Sequence, residues 1–247
     1  MVLAWTLAAE AEPYTWSVQA SGTPVQLSSV SAASASRAWA VGQAGTIRYT
    51  DDAGSSWGGQ ASGTVVYLHG VASAGLTKAW AVGDGGTIRY TDNAGASWGG
   101  QNSMAAVDMS DICAVDADRL WAVGWTGTIR HTTNGGANWN AEGGPTAQNL
   151  WGVTASDADH AWVVGNSGTI AATSNGGANW SIQSSGTVNH LRDVCAIDSN
   201  RVWAVGDNGT ILYTANGGQD WNPQASNTTS ALRGVAATDA GHVWIVG

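Results

Sequence analysis

The 247 residues contain no phenylalanine, and only 11% are charged. That is about half the usual ~25%. There are two cysteines, four prolines and nine Lys plus Arg. A disordered chain would be rich in charge and poor in aromatics, and 15 Trp exclude one. The shortage of Glu, Lys and Arg excludes a coiled coil. No apolar run approaches the ~18 residues of a membrane span. With 18 Asp and Glu the net charge is −9, so no basic stripe for nucleic acid is expected. Glycine is plentiful instead, at 34 residues. This length suffices to bury roughly three quarters of the unfolded surface.

What the chain does have is a repeat. Trp39, Trp80, Trp121, Trp162, Trp203 and Trp244 form one series, and Trp16, Trp57, Trp98, Trp139, Trp180 and Trp221 a second. Every step is 41 residues, with no insertion or deletion. The stretch from Ala38 to Trp57 has copies beginning at Ala79, Leu120, Ala161 and Val202. Unbroken spacing and near-identical first copies point to recent amplification or deliberate construction.

Each unit reads as four short strands. Examples are an apolar segment near 68–72, Trp80–Gly83, Gly86–Thr91, and a strand starting at Trp98. Glycine and Asn/Asp clusters separate them, as in hairpins. A period of about 40–45 residues with four strands per unit is that of a propeller blade. Amphipathic segments long enough for helical repeats are missing. The expected fold is all-β: a six-bladed propeller forming a single domain. Blades are expected at 20–60, 61–101, 102–142, 143–183 and 184–224. The sixth would combine 225–247 with closing strands from 1–19, so that both termini share it. Glu12–Pro13 replaces the turn glycine there. A signal peptide is the alternative for Val2–Ala9, but no basic segment precedes it and the apolar part is short.

Thr50-Asp51-Asp52-Ala53-Gly54-Ser55-Ser56-Trp57 is an Asp-box turn, repeated at Thr91–Trp98, Thr132–Trp139, Thr173–Trp180 and Thr214–Trp221 with Asn in place of the central Asp. Asp or Asn caps turn amides, glycine supplies positive φ, and Trp packs the hairpin onto the blade. With the surrounding W-A-V-G-x-x-G-T-I-x-x-T pattern, five of six units resemble the photosystem II assembly-factor propellers. Asp-boxes also occur in sialidase-like propellers. The resemblance implies a non-enzymatic binding scaffold, because the matching residues are turn and core residues.

The charges fall in repeat phase. Arg37, Lys78, Arg119, His160, Arg201 and His242 stand two positions before the first Trp series. They are either an anion-binding collar or turn cations paired with Asp116, Asp157, Asp198 and similar neighbours; the pairing is the favoured reading. Arg48, Arg89 and Arg130 form a second row. It suits bidentate binding of a carboxylate or phosphate, or stacking on Trp rings.

A variable ring is the better candidate for ligand binding. One repeat position reads Gln26, Tyr67, Asp108, Asn149, His190, Ala231, and two residues on stand Ser28, His69, Ser110, Trp151, Arg192, Arg233. The turn between strands two and three reads Gln43, Asp84, Trp125, Asn166, Asp207. In a propeller these loops share one face. Trp125 and Trp151 fall outside both Trp series, and exposed Trp beside polar groups suits sugar recognition. Filling gaps between blades is the alternative for both.

Cys113 and Cys195 lie two repeats apart in the same phase, too distant for a disulfide, and read as small core residues. The five His lack metal-ligand spacing, and no nucleophile elbow is present, so neither metal nor cofactor is expected. Three readings result. The first is a monomeric, non-enzymatic propeller for a glycan or protein ligand. The second is a sialidase-like glycosidase using Arg192, Arg233, Tyr67, Asp108, Asp111 or Asp193. The third is an amplified or constructed scaffold without a selected ligand. Low charge, Asn208-Gly209-Thr210 and Asn227-Thr228-Thr229 are compatible with an extracellular, periplasmic or lumenal location.

Overall fold

The structure, a computed structural model, describes residues 3–6 and 17–247. The chain divides into two compact units, Ser17–Glu142 and Met1–Trp16 with Gly143–Gly247. The first unit holds three four-stranded antiparallel sheets. Their strands are Leu27–Ala32, Ala38–Gly42, Ile47–Thr50 and Gly58–Gln60; Leu68–Ala74, Lys78–Gly83, Thr87–Thr91 and Gly99–Asn102; Met109–Ala114, Leu120–Gly124, Ile129–Thr132 and Asn140–Ala141. The other unit holds Leu150–Ala155, His160–Gly165, Ile170–Ser174 and Ser181–Gln183, then Leu191–Ala196, Val202–Gly206, Ile211–Thr214 and Asn222–Pro223. Its last sheet joins Gly234–Asp239 and His242–Val246 to Leu3–Thr6.

That last pairing is antiparallel, with Leu3 opposite Ile245 and Thr6 opposite His242. Leu3–Thr6 thus pairs with the last strand, but four residues out of repeat phase: Ala4 stands opposite Trp244, where the Trp39–Tyr49 pairing of the first sheet would put residue 8. The expected fourth strand and the Glu12–Pro13 turn lie outside the described residues.

The second strands of the five complete sheets are buried along almost their whole length, whereas His242–Val246 in the last sheet is mostly half-buried. Trp39, Val41 and Ile47 pack on Leu68, Val71, Ala79 and Ala81; Trp162, Val164 and Ile170 pack on Leu191, Val194 and Val202. Trp39, Trp80, Trp121 and Trp162 are each at most 1% exposed. Burying one such ring removes 150–250 Å² from water, an upper limit of about 5 kcal/mol each.

The Asp-box builds its own turn. Thr50 Oγ1 donates to Asp52 Oδ1 at 2.8 Å and accepts the Gly54 amide at 2.9 Å; Asp52 Oδ1 accepts the Ser56 amide at 2.9 Å. Asn93, Asn134, Asn175 and Asn216 accept the equivalent amides at 2.9–3.0 Å. The bonds from Ser56 and Thr50 hold the Asp52 carboxyl down at about 2. Each box also leans on the turn between the first two strands. Ala53, Ala94, Gly135, Gly176 and Gly217 donate their amides to Ser36, Thr77, Asp118, Asp159 and Asn200 carbonyls.

A glutamine at the end of the preceding fourth strand completes this joint. Gln60 Oε1 accepts from Trp39 Nε1 at 3.2 Å and from Trp98 Nε1 at 3.0 Å, and its Nε2 donates to the Ala94 carbonyl at 2.8 Å. Gln19, Gln101 and Gln183 make the corresponding bonds to Trp57, Trp139 and Trp221. Each amide crosses directly over the second box glycine, where a Cβ on Gly54, Gly95, Gly136 or Gly218 would overlap it. Glu142 occupies this repeat position in the third sheet, and its Oε1 lies 3.7 Å from Nδ1 of buried His131. Burial pushes the Glu142 carboxyl up and the His131 imidazole down.

The first left-handed residue of the box is Ala53 (φ 59°) or Ala94 (φ 57°) in two copies and Gly135, Gly176 or Gly217 in the others. A left-handed L-residue costs about 1–2 kcal/mol, while glycine adds about 0.5–1 kcal/mol of unfolded-state entropy. The double variant Ala53→Gly/Ala94→Gly should therefore be more stable by about 1 kcal/mol. Thermal melting checks it, and a lowered midpoint would show that these alanines carry no strain.

Candidate functional site

In all five complete sheets the first strand carries a bulge. Register shifts fall between Leu27 and Ser29, Leu68 and Gly70, Met109 and Asp111, Leu150 and Gly152, and Leu191 and Asp193. The residues displaced are Ser28, His69, Ser110, Trp151 and Arg192, one position of the variable ring. A bulge leaves one residue out of the ladder and re-aims its side chain. Three of these side chains reach the turn after the second strand of their own sheet. His69 Nε2 lies 2.6 Å from Asp84 Oδ1, Trp151 Nε1 donates to Asn166 Oδ1 at 2.6 Å, and Arg192 holds Asp207 through Nε at 2.8 Å and Nη2 at 2.7 Å.

The other ring position supports that turn from beneath. The amides of Gln43, Asp84, Trp125, Asn166 and Asp207 donate to the carbonyls of Gln26, Tyr67, Asp108, Asn149 and His190 at 2.9–3.0 Å. The approach is close enough that a Cβ on Gly42, Gly83, Gly124, Gly165 or Gly206 would collide with those carbonyls. This explains the final glycine of each W-x-V-G strand. Asp108 Oδ1 also accepts the Gly85 amide and His190 Nδ1 the Ser167 amide, both at 2.9 Å, which ties adjacent sheets.

In the unit Ser17–Glu142 the Tyr67 ring lies 4.3 Å from that of His69, and Trp125 is 43% exposed at its turn. In the other unit the Arg192 guanidinium sits 5.4 Å from the centre of the Trp151 ring. Trp151 is thus half-buried and bonded, while Trp125 faces solvent. The hydrogen bonds from Arg192, then the charges of Arg192, His190 and Arg233, hold the Asp207 carboxyl below its ordinary range.

The other basic residues serve the scaffold. Arg119 and Asp116 pair at 2.6 Å, His160 and Asp157 at 2.9 Å, Arg201 and Asp198 at 2.5 Å, and His242 and Asp239 at 2.9 Å. Four of the six residues of that row thus make the expected turn ion pairs, while Arg37 donates to the Leu76 carbonyl at 2.8 Å instead. Arg48 and Arg89 donate through Nη2 to the Trp57 and Trp98 carbonyls; Arg130 donates to the Ser103 and Met104 carbonyls at 2.9 Å. Main-chain carbonyls, not the indole stacking expected as the alternative, take up these guanidinium groups. Cys113 and Cys195 are half-buried on first strands, and burial pushes the Cys195 thiol up. Among the described residues no group of three or more His, Cys, Asp or Glu could hold a metal ion, and no helix is long and apolar enough to cross a membrane.

Asp111 and Asp193, named from the sequence as glycosidase candidates, belong to one repeat position whose structural role the sequence reading missed. Ser29, Asp111 and Asp193 alternate with Gly70, Gly152 and Gly234 at a single repeat phase. Ser29 Oγ accepts the Val71 amide of the next first strand at 3.3 Å. Asp193 accepts the Val235 and Val194 amides at 2.8 Å. The alternation was the available signal: a glycine stands where its neighbour's carboxylate needs room.

Comparison with known proteins fits this geometry. Residues 139–223 match the family model described as photosynthesis system II assembly factor YCF48. Among solved structures, YCF48 bound to D1 peptide is 18% identical over 98% of this chain and 97% of that one, with TM-score 0.54. YCF48 from Cyanidioschyzon merolae is 16% identical over 90% of this chain and 96% of its own, with TM-score 0.60. The WD40 β-propeller domain of Doa1 is 14% identical over 89% and 75%, with TM-score 0.70. The fold is a β-propeller. Its Asp-box repeats resemble those of the assembly factors. No curated protein matches the sequence.

Within this propeller, burial pushes the Asp193 carboxyl up to about 6 from 3.8, against the two amides that favour its charge. A carboxyl raised on folding favours the folded state most when protonated. Stability is therefore lost as pH rises between roughly 4 and 6. Relative to Asp193→Asn, the native protein should lose up to about 3 kcal/mol across that interval and no more above pH 7. Denaturant unfolding at a series of pH values measures the gap; a constant gap would show an unshifted carboxyl.

Proposed function

We propose that the chain is a monomeric, non-catalytic binding propeller whose partner is a polypeptide held at the bulge ring. The observation that carries this reading is chemical variety on an unvarying frame. The same bulge-to-turn slot holds His69–Asp84 in the second sheet, Trp151–Asn166 in the fourth and Arg192–Asp207 in the fifth, all at hydrogen-bond distance. The slots present aromatic, acidic and basic groups in turn, which suits a polypeptide of mixed side chains. YCF48 bound to a D1 peptide is a precedent for peptide binding on a related fold.

Glycan binding is the second reading, favoured by exposed Trp125, whose amide donates to the Asp108 carbonyl while the Asp108 carboxylate accepts the Gly85 amide. Stacking of a sugar face on an indole with a carboxylate at its edge is a common arrangement. A sialidase-like reaction has less support. Arg192 is committed to Asp207, Asp193 to backbone amides and Tyr67 to the His69 ring. The Arg48, Arg89 and Arg130 row is read as structural.

Panning a random peptide display library and running a glycan array on the same protein separates the readings. Trp125→Ala leaves the exposed turn intact, so its fold should be unchanged by circular dichroism. Selected peptides should lose at least tenfold in affinity with Trp125→Ala or Arg192→Ala. Peptides indifferent to both substitutions would move the site elsewhere. A glycan hit lost on Trp125→Ala, without peptide hits, would make the propeller a lectin. Blanks on both would leave a scaffold without a selected ligand.

A further inference from the structure

The groove between the fourth and fifth sheets departs from its counterparts. Between the first and second sheets five repeat positions read Arg37, Tyr49, Ser56, Thr77 and Ala96, and between the second and third Lys78, Tyr90, Ser97, Asp118 and Ala137. Here the same positions read His160, Ala172, Asn179, Asn200 and Gln219. A cation becomes histidine, a tyrosine becomes alanine, and Ser, Thr or Asp, and Ala give way to carboxamides. All five residues line one cavity of about 430 Å³ at the Asp-box end of the strands. That volume lies within the ~300–1,000 Å³ range of ligand pockets.

The floor of this cavity is closed. Trp162 and Ala172 are 1% and 8% exposed, and the His160 ring stacks on Trp162 with centres 6.4 Å apart. A ligand therefore meets the polar rim. Asn179, Asn200 and Gln219 are exposed there, and none of their carboxamides is hydrogen-bonded to a described residue. Their turns are nevertheless fixed. The Asn179 amide donates to Asn175 Oδ1 and the Asn200 amide to Asp198 Oδ1, both at 2.9 Å, and the Asn200 carbonyl accepts the Gly217 amide at 2.9 Å. Ser174 and Ser199 add hydroxyls, and no Asp, Glu, Lys or Arg lines the cavity.

We propose that this cavity binds a neutral saccharide through its hydroxyl groups. A carboxamide donates and accepts at once, as a sugar hydroxyl does, so three of them around one cavity match a run of hydroxyls. The lining gives a charged ligand no ion-pair partner, and the covered indole offers an aromatic one no face. Hydrogen bonds made in competition with water, without stacking, set the affinity in the millimolar range. The sugar is either free or the terminal residue of a glycan. The site stands at the opposite end of the strands from the bulge residues Trp151 and Arg192 and does not depend on what they bind.

The test is titration of the intact protein with glucose, galactose, mannose and N-acetylglucosamine and with their methyl glycosides, followed by the side-chain amide resonances. At least one sugar should give saturable shifts at Asn179, Asn200 and Gln219 at millimolar concentrations. Gln60 and Gln101 should stay unmoved, because their amides are engaged in the scaffold. Asn200→Thr/Gln219→Ala restores the residues found as Thr77 and Ala96 in the first groove, so the fold should survive, checked by circular dichroism. Binding read at Asn179 should then weaken at least tenfold. If the double variant fails to fold, Gln219→Ala alone, at an exposed side chain, decides. Glycoside binding would admit glycan termini to the site; binding of the free sugars alone would confine it to those. No shift with any of the eight sugars up to the solubility limit, equal shifts at Gln60 and Gln101, or undiminished binding to the folded variant would each overturn the proposal. So would tighter binding of N-acetylasparaginamide than of every sugar. A sugar response abolished by Trp125→Ala would also overturn it and place the saccharide at the bulge ring.

Discussion

Within each unit the sheets depend on one joint. A glutamine amide at the end of one sheet crosses the glycine of the next sheet's Asp-box and accepts that box's Trp N–H. Gln60 reaches Trp98 and the Ala94 carbonyl, Gln101 reaches Trp139 and the Gly135 carbonyl, and Gln183 reaches Trp221 and the Gly217 carbonyl. Buried indole and carbonyl groups left unpaired would each cost about 1–3 kcal/mol. The joint spans 34 and 38 residues in every copy. An insertion between those points would have to bulge out without moving either end. This gives the unbroken 41-residue spacing a physical basis.

With the sheets fixed in this way, variation is confined to places the joint does not touch. The bulge in the first strand is one. It lies at the far end of the strands from the Asp-box, and its extra residue is outside the ladder, so Ser28, His69, Ser110, Trp151 and Arg192 can differ without disturbing register. The slot against the first-series Trp is another, occupied by Tyr49, Tyr90, His131, Ala172 or Tyr213. Where His131 replaces tyrosine, Glu142 replaces the joint's glutamine in the same sheet, and the two side chains lie 3.7 Å apart. The departures at His131 and Glu142 thus form a compensating pair.

Much of this was legible in the sequence. The two Trp series, the W-A-V-G strands and the Asp-boxes gave the propeller, because each depends on local turn chemistry and period. The three loop positions of the variable ring were also legible as neighbours. Their pairing was not: residue 69 meets residue 84 only because of a bulge, and a bulge depends on register. Nothing in the sequence separated Trp151 from Trp125, and both exposure and gap-filling stood open for each; in the fold Asn166 and Arg192 partner Trp151 while Trp125 is exposed. Glutamines at 19, 60, 101, 183 and 224 were a visible repeat position, unread because glutamine carries no motif chemistry. The amide bonds of Asp193 are likewise tertiary, arising between first strands 42 residues apart.

The joint is tested most directly by a double-mutant cycle between Gln101 and Trp139. Gln101→Ala removes the amide, and Trp139→Phe keeps an aromatic ring but removes the N–H that donates at 3.2 Å. If the glutamine joint holds the sheets together, the two losses in unfolding free energy are non-additive, with a coupling of about 1 kcal/mol or more. Strict additivity would mean that Gln101 and Trp139 are stabilised separately and that the sheets are held by their apolar faces alone.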